Sequence, residues 1–595
     1  MRDLRLVWVA ATLVTTACGP REPAGDSADG ASRSASADAG RTDVGAEAGS
    51  ADDSRGQAEG ATGSGSGSRG DSGRGVAAST PVDSGEGGTT PPPACTKYVS
   101  ASGSLDGHTA YPSIQDGVNT VTAGDTLCVS AGTYHERVFV NTSGAAGNPI
   151  TIRAYDASNR PVVDGAYTLP DDSFGTMGNG CSEVDPANPN AVMAPYPLFG
   201  CDEISTPGLV ILQGNHLVWD GIDITRSRSN GVFMGNVSGN GDYVLPLLNP
   251  AAGTWYSDIQ FLNSHVSHIR GEGASFLYVD GGTMAGDIVE DSQNLAAYNR
   301  LAPGITNPNV SGWGNGVSLV GKNLTFTGNI VFHNWGEGIS IGQNNFTKQG
   351  AVINGQTVTS STFTNAQTAW IKGNVVYDNW AAQVYLTNGT DNTLEGNLIY
   401  QTADSAYFRY GSPFVCLLIG AENASGNPAN ITVRNNVIQG CTNLIALEQY
   451  ESVTRYTNFE FYNNTLVNPY RGGNAVTSNM TGLTRFTFMN NLVYAPGNSI
   501  SYGFTAVGVP MVGHNVWSSA PPANLGGSGD ITTSDPGLAT PSYVPPAGGF
   551  DVDTIKLAAG SPAIGSGVST PSVTTDFFGT LRPTTGPDIG AYQHP

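Results

Sequence analysis

The sequence predicts an all-β repeat fold of short, stacked strands, and three observations carry that expectation. Of 595 residues, 79 are Gly and only 13% are charged, against roughly 7% Gly and about 25% charged in ordinary globular chains. Surface helices need Lys, Glu, Arg and Gln, so this composition argues against a helical protein. Second, a short motif recurs. Gly328-Asn329-Ile330-Val331-Phe332-His333-Asn334 is followed by Gly373-Asn374-Val375-Val376-Tyr377-Asp378-Asn379 and Gly396-Asn397-Leu398-Ile399-Tyr400. Asn435-Asn436-Val437-Ile438, Asn463-Asn464-Thr465-Leu466-Val467, Asn490-Asn491-Leu492-Val493-Tyr494 and His514-Asn515-Val516-Trp517 continue it. Steps of 28, 27 and 24 residues separate Asn436, Asn464, Asn491 and Asn515, a period that marks a solenoid or propeller. Third, apolar and polar residues alternate between the turn residues, as at Leu324, Phe326 and Ile330 and again at Gly338-Ile339-Ser340-Ile341, which reads as strand-turn-strand.

Charge narrows the function classes. The 49 acidic and 26 basic residues leave a net charge of −23. Nucleic-acid binding needs Lys and Arg to neutralise phosphates, so no nucleic-acid partner is expected. No apolar run after the first twenty residues is long enough to span a bilayer.

The elements follow in order. Residues 1–17 read as a signal peptide: Arg2 and Arg5 precede the apolar run Leu6 to Val14, and small residues lead to Cys18. The tail Val14-Thr15-Thr16-Ala17-Cys18 resembles a bacterial lipobox, which implies lipidation at Cys18. Ordinary cleavage near Ala17 is the alternative. Residues 18–94 are Gly, Ser, Ala and Asp with almost no large apolar side chain. They cannot offset the entropy of ordering and are expected to be a disordered linker. Residues 95–165 form an N-terminal cap and the first coils. Residues 166–215 read as a disulfide-tied insertion, 216–520 as the repeat, and 521–595 as a closing segment. Membrane contact is expected only through the N-terminal lipid, and the protein is expected to be monomeric and exported, at the outer membrane or cell surface or else secreted.

Apart from Cys18, six cysteines remain, an even number that suggests disulfides in an exported chain. Six allow 15 connectivities. Sequential pairing, Cys95 with Cys128, Cys181 with Cys201 and Cys416 with Cys441, is expected because each pair closes a short segment.

The repeats, the start Tyr98-Val99-Ser100 with Ile114-Gln115-Asp116-Gly117-Val118 and Gly124-Asp125-Thr126-Leu127-Cys128, and the end Ser561-Pro562-Ala563-Ile564, Arg582-Pro583 and Asp588-Ile589-Gly590-Ala591-Tyr592 together resemble the right-handed parallel β-helix, pectate-lyase-like superfamily. The resemblance implies a right-handed parallel β-helix solenoid capped at both ends. The aligned Asn residues are expected to be structural, since Asn tolerates a left-handed turn and its amides can bond to the next coil. The resemblance also implies a polysaccharide as partner, through binding and cleavage by a lyase or glycosidase. The polygalacturonase motifs are absent except for Asp171-Asp172, and so is the Asp-Pro-His signature of mannuronan epimerases. Relatives of pectate lyase hold calcium with clustered acids. No such cluster stands out, so no metal ligand is assigned and calcium is the one cofactor the resemblance leaves open.

Two regions carry the candidate site. Lys322 ends one strand and Glu337 begins the equivalent strand a coil later, a candidate base and a candidate acid. The segment Asp404 to Gly411 concentrates Tyr407, Phe408 and Tyr410 around Arg409, suited to stacking on a sugar and binding its carboxylate. Glu422 closes the strand that follows. Tyr385 is expected to point outward on the face shared by Glu337 and Glu422. With about 4.8 Å between coils, those two glutamates would stand roughly 9–10 Å apart, a spacing that suits inverting hydrolysis. Lys322 with Arg409 suits proton abstraction beside a neutralised carboxylate. His265, His268 and His333 are expected to be turn or surface residues. The reading that competes with an enzyme is a non-catalytic surface or adhesion scaffold.

Overall fold

A computed structural model describes residues 93–165, 208–227, 230–235, 255–269, 271–292, 314–342, 352–353, 356–357, 368–387, 389–409, 411–421, 428–449, 456–502, 509–540 and 549–595. The expected signal peptide, Cys18, the linker up to residue 92, Cys181, Cys201, Tyr410 and Glu422 lie outside these residues.

The strands form three long parallel sheets. Sheet 1 runs from Lys97–Val99 to Val509–Gly513, sheet 2 from Thr133–Tyr134 to Ile531–Thr532, and sheet 3 from Val138–Val140 to Ser499–Tyr502. Through the repeat the chain visits sheets 1, 2 and 3 in turn and begins again, so each strand of these sheets bonds to its equivalent one coil away. Two short hairpins, Ser104–Leu105 with His108–Thr109 and Val352–Ile353 with Gln356–Thr357, lie outside them. Alternation explains the interior. In sheet 1, Trp219, Phe261, Met284, Phe326, Ile371 and Leu394 are register partners and all are fully buried.

From strand Leu217–Asp220 onward only two residues join sheet 1 to sheet 2, and the structure divides their work. The first has a left-handed backbone: Gly328, Gly373 and Gly396 have φ of 65, 63 and 63°, and Asn435, Asn463, Asn490 and His514 lie at 54, 52, 58 and 54°. Gly, Asn and His occupy this position because few residues tolerate that region. The second is the fully buried Asn329, Asn374, Asn397, Asn436, Asn464, Asn491 or Asn515. Its Oδ1 accepts the backbone N–H of the preceding coil's Asn, at 2.9 Å from Asn329 to Asn374 and 3.0 Å from Asn374 to Asn397. Its Nδ2 donates back to a sheet-1 carbonyl, Met284 O for Asn329 and Phe326 O for Asn374.

Both ends of the stack are covered. Helix Ile114–Val118 places Ile114 and Val118 in the core, and Glu136 accepts the N–H groups of Ile114 and Gln115 at 2.7 and 2.8 Å. Disulfides Cys95–Cys128 and Cys416–Cys441 are both present. The C-terminal residues do more than close the end. They fold back along the outer face of sheet 2, where Phe550, Leu557, Phe577 and Ile589 cover Tyr377, Tyr400, Val437, Val467 and Leu492. The left-handed Asn side chains hold this strap: Asn435 Nδ2 donates to Thr575 O at 2.7 Å and Asn490 Nδ2 to Val568 O at 2.7 Å.

The asparagine ladder begins and ends on a carboxylate. At the C-terminal end Asp530 uses both oxygens, accepting from Asn515 N and Gly527 N, each at 2.8 Å. At the other end Asp287, fully buried, accepts Ser264 N at 2.7 Å through Oδ1, while Oδ2 has no hydrogen-bond partner. Met284 and Phe261 are register partners, so Oδ2 occupies the place from which an Asn amide would donate to Phe261 O. Burial pushes this carboxyl well above its ordinary value. A carboxyl raised by folding contributes most below about pH 4 and loses that contribution as pH rises towards its folded value. Asp287→Asn restores the donor, so it is expected to stabilise the protein by about 1–3 kcal/mol, with a larger gain at pH 8 than at pH 4 in urea unfolding. An equal gain at both would contradict this account.

Candidate functional site

Sheet 3 is bordered by the long connections. Two residues suffice between sheets 1 and 2, whereas the chain runs from Asp164 to Val210, from Glu290 to Val317 and from Tyr400 to Val415 between sheets 2 and 3. Variable connections on both borders of one sheet make its outer face the natural place for a site.

At the corner where the chain enters sheet 3, a short pattern repeats: Asn230-Gly231, Gly271-Glu272-Gly273, Gly314-Asn315-Gly316 and Gly336-Glu337-Gly338. Val232, Ala274, Val317 and Ile339 are register partners, so Asn230, Glu272, Asn315 and Glu337 stack in one column. Asn side chains tie it together, Asn230 Oδ1 accepting Glu272 N at 2.9 Å and Asn315 Oδ1 accepting Glu337 N at 3.0 Å. The trailing glycines are a packing requirement. A Cβ on Gly273 would lie 2.6 Å from Gly316 O, and one on Gly338 2.6 Å from Gln383 O.

Outward from this column, Ser275, Ser318 and Ser340 are register partners. Ser275 and Ser318 donate to the two Glu272 oxygens at 2.5 and 2.9 Å, and Asn315 Nδ2 donates to Ser318 Oγ at 3.1 Å. Burial raises the Glu272 carboxyl above its ordinary value, against the pull of the two serines. Glu337 is 4% exposed. This polar window is bounded by apolar surface on either side. Ile211, Phe233 and Leu277 cluster with Tyr278 and Val320 on one side. Ala382, Tyr385, Val415, Leu418 and Ala446 cluster with Phe414 on the other.

Glu272 and Glu337 are two coils apart, about 9–10 Å at the backbone. The spacing expected for Glu337 and Glu422 therefore occurs between Glu337 and a residue that sequence reasoning passed over. The signal was present: after the N-terminal linker, Gly-Glu-Gly occurs twice, at 271–273 and 336–338.

The remaining expected site residues are dispersed. Lys322 lies at the far end of strand Val317–Lys322, seven residues beyond Asn315 and so about 23 Å along the strand direction from the column. It is held by Asp280 at 3.1 Å and lies over the Trp255 ring at 5.0 Å. Arg409 belongs to the opposite border. It lies between Trp380 and Phe414, 4.7 Å from each ring, and is 4% exposed. Trp380 stacks in turn on Trp335 at 4.9 Å. Lys322 and Arg409 thus do not converge, because they occupy opposite ends of the strands of sheet 3. Tyr385 faces outward as expected, between Ser340 and Leu418 in register, but is covered to 2% exposure by the apolar cluster. Tyr407 is buried with its ring stacked on His333 at 4.1 Å, and Phe408 meets Tyr470 edge to face at 5.5 Å. The aromatic residues of this segment therefore pack onto the solenoid. Asp378 fastens the same segment, accepting from Thr402 N at 2.8 Å and Thr402 Oγ1 at 2.6 Å, while burial leaves its carboxyl at about 7. His333 is thus a packing residue, and His265 Nε2 donates to the Glu290 carboxylate at 2.8 Å.

Residues 305–493 match the family model described as right handed beta helix region. This chain is a right-handed parallel β-helix. No curated protein matches its sequence. Among solved structures, the β-helix is similar to pectate lyase Pel9A, with 14% identity and a TM-score of 0.43 over 84% of this chain and 96% of that one. It is similar to XylC in complex with xylose, with 10% identity and a TM-score of 0.47 over 84% and 98%. It is also similar to the A-module of mannuronan C-5 epimerase AlgE4 from Azotobacter vinelandii, with 11% identity and a TM-score of 0.37 over 71% and 91%. The functional reading of the β-helix therefore stands on its own residues. Among the described residues, no group of three or more His, Cys, Asp or Glu is arranged to hold a metal ion.

The stack Trp335–Trp380–Arg409–Phe414 accounts for the order of the segment before Val415. Arg409→Ala removes a cation lying on two rings and is expected to cost about 2 kcal/mol. Limited proteolysis should then cut between Thr402 and Phe414 faster than in the parent protein, and unchanged cleavage would contradict the role assigned to Arg409.

Proposed function

We propose that this β-helix is an exported protein that binds polysaccharide on the outer face of sheet 3 and hydrolyses a glycosidic bond in the window of Glu272 and Glu337. The observation that carries the reading is the spacing of these two carboxylates in the one polar window between two apolar clusters. About 6.5–9.5 Å between carboxyl groups leaves room for a water and suits inversion. Side chains based about 9–10 Å apart reach that range with small rotations. Glu272, raised by burial, is the general acid, and Glu337 is the general base. The bond from the anomeric carbon to the bridging oxygen breaks as a bond to water oxygen forms. Glu337 takes the water proton, and Glu272 gives its own to the departing oxygen.

Export rests on the charged and apolar start of the sequence and on the two disulfides, which persist in oxidising compartments. Attachment to a membrane or cell surface through Cys18 belongs to the same proposal.

Expected outcomes are concrete. The protein releases reducing ends from a polysaccharide, with inverted anomeric configuration in the first product by NMR. Glu272→Gln and Glu337→Gln each lower the rate by about 10²–10⁴-fold with the melting temperature little changed. The rate falls on the alkaline side as Glu272 loses its proton. The second reading, a non-catalytic surface scaffold, is favoured by the 4% exposure of Glu337. Absence of reducing ends from every polysaccharide tried, with a folded protein, would select it.

A further inference from the structure

We infer that the window of sheet 3 takes a neutral glycan and discriminates against uronic-acid polymers. This deepens the reading just given and rests on it.

A uronan carries one carboxylate on each charged sugar, so a site for it needs cations set along the groove. Among the described residues, three cations in or near sheet 3 are engaged elsewhere, and of these Arg137, just before strand Val138–Val140, donates to Gly208 O at 2.9 Å. Lys322 is neutralised by Asp280 at 3.1 Å, about 23 Å along the strand from the column. Arg409 is enclosed between Trp380 and Phe414 at 4.7 Å from each. The window itself presents the carboxyls of Glu272 and Glu337. Further along the sheet, Glu448 stands opposite Gly420 in register and adds a third acidic side chain. A polyanion approaching this face also meets a molecule with a net charge of −23, which opposes encounter over the whole surface.

The remaining groups are those that recognise hydroxyls. Ser318 and Ser340 are half-buried on the outer face, and Ser318 is already oriented by Glu272 and Asn315. Trp335, two residues before Glu337 and 5% exposed, has an indole Nε1 with no hydrogen-bond partner. A buried donor left in this state costs free energy that a ligand oxygen can recover. The apolar clusters on either side of the window offer surface to the C–H faces of sugar rings. Neutral donors and acceptors in the centre, apolar walls and excess negative charge match a hexosan or pentosan without carboxylates.

The test uses the whole folded protein with xylan, mixed-linkage glucan and mannan as neutral polymers and polygalacturonate and alginate as uronans. Binding is read by affinity electrophoresis and cleavage by reducing ends, at 20 and 500 mM NaCl. At least one neutral polymer is expected to bind at least about 10-fold more tightly than either uronan at 20 mM salt, with less than about 2-fold change at 500 mM. Any uronan binding should strengthen with salt as repulsion is screened. Ser340→Lys should raise uronan affinity by about 10-fold and make it weaken with salt. A uronan bound or cleaved in preference to every neutral polymer, with binding that weakens in salt, would overturn this inference and leave polysaccharide hydrolysis standing. Binding and cleavage of neither class would overturn both.

Discussion

A buried side-chain amide, repeated from Asn329 to Asn515, is the interaction on which the rest of this structure depends. Each Asn satisfies a backbone N–H of the coil on one side and a backbone carbonyl of the sheet beside it. Those groups turn inward at a two-residue corner, where no strand can pair with them and water does not reach. Leaving one unpaired costs about 1–3 kcal/mol, so the corner tolerates few alternatives. Because each amide also sets the position of the next, the ladder holds the coils in register while the other two corners are free to vary.

That freedom is why the proposed function is assigned to sheet 3. The corner between sheets 1 and 2 is committed to the ladder, and the strap of C-terminal residues occupies the outer face of sheet 2. The outward residues of sheet 3 then change character along the stack: apolar at Ile211 and Phe233, polar from Ser275 to Ser340, apolar again at Tyr385 and Leu418. The apolar stretches exclude water from the edges of the polar one. A carboxyl in that position, such as Glu272, is held partly desolvated beside neutral donors. Burial of this kind is what raises a carboxylic acid to a value useful for proton donation.

The long connection before Val415 shows how a strongly marked sequence can serve packing. Its aromatic residues and arginine resemble a sugar-binding cluster in composition. In the fold, the guanidinium extends a column of rings begun by Trp335 and Trp380, and Tyr407 lies flat on His333. Composition is the same for an exposed platform and for a buried stack; the distinction lies in which ring faces are already covered.

The sequence by itself determined the solenoid, its period, the structural role of the asparagines and the disulfides Cys95–Cys128 and Cys416–Cys441. All of these are local or repeat at fixed spacing, and a stacked coil converts sequence spacing directly into spatial order. The outward direction of Tyr385 followed from the same alternation. Tertiary structure alone decided that Tyr385 is covered, that Lys322 and Arg409 lie on opposite borders of sheet 3, and that Glu272 rather than a residue of the later coils stands within two coils of Glu337 at the same corner. The lengths of the connections between coils are irregular, from 22 residues between Asn315 and Glu337 to 43 between Glu272 and Asn315. Sequence distance therefore gives no measure of coil distance, and only strand register does.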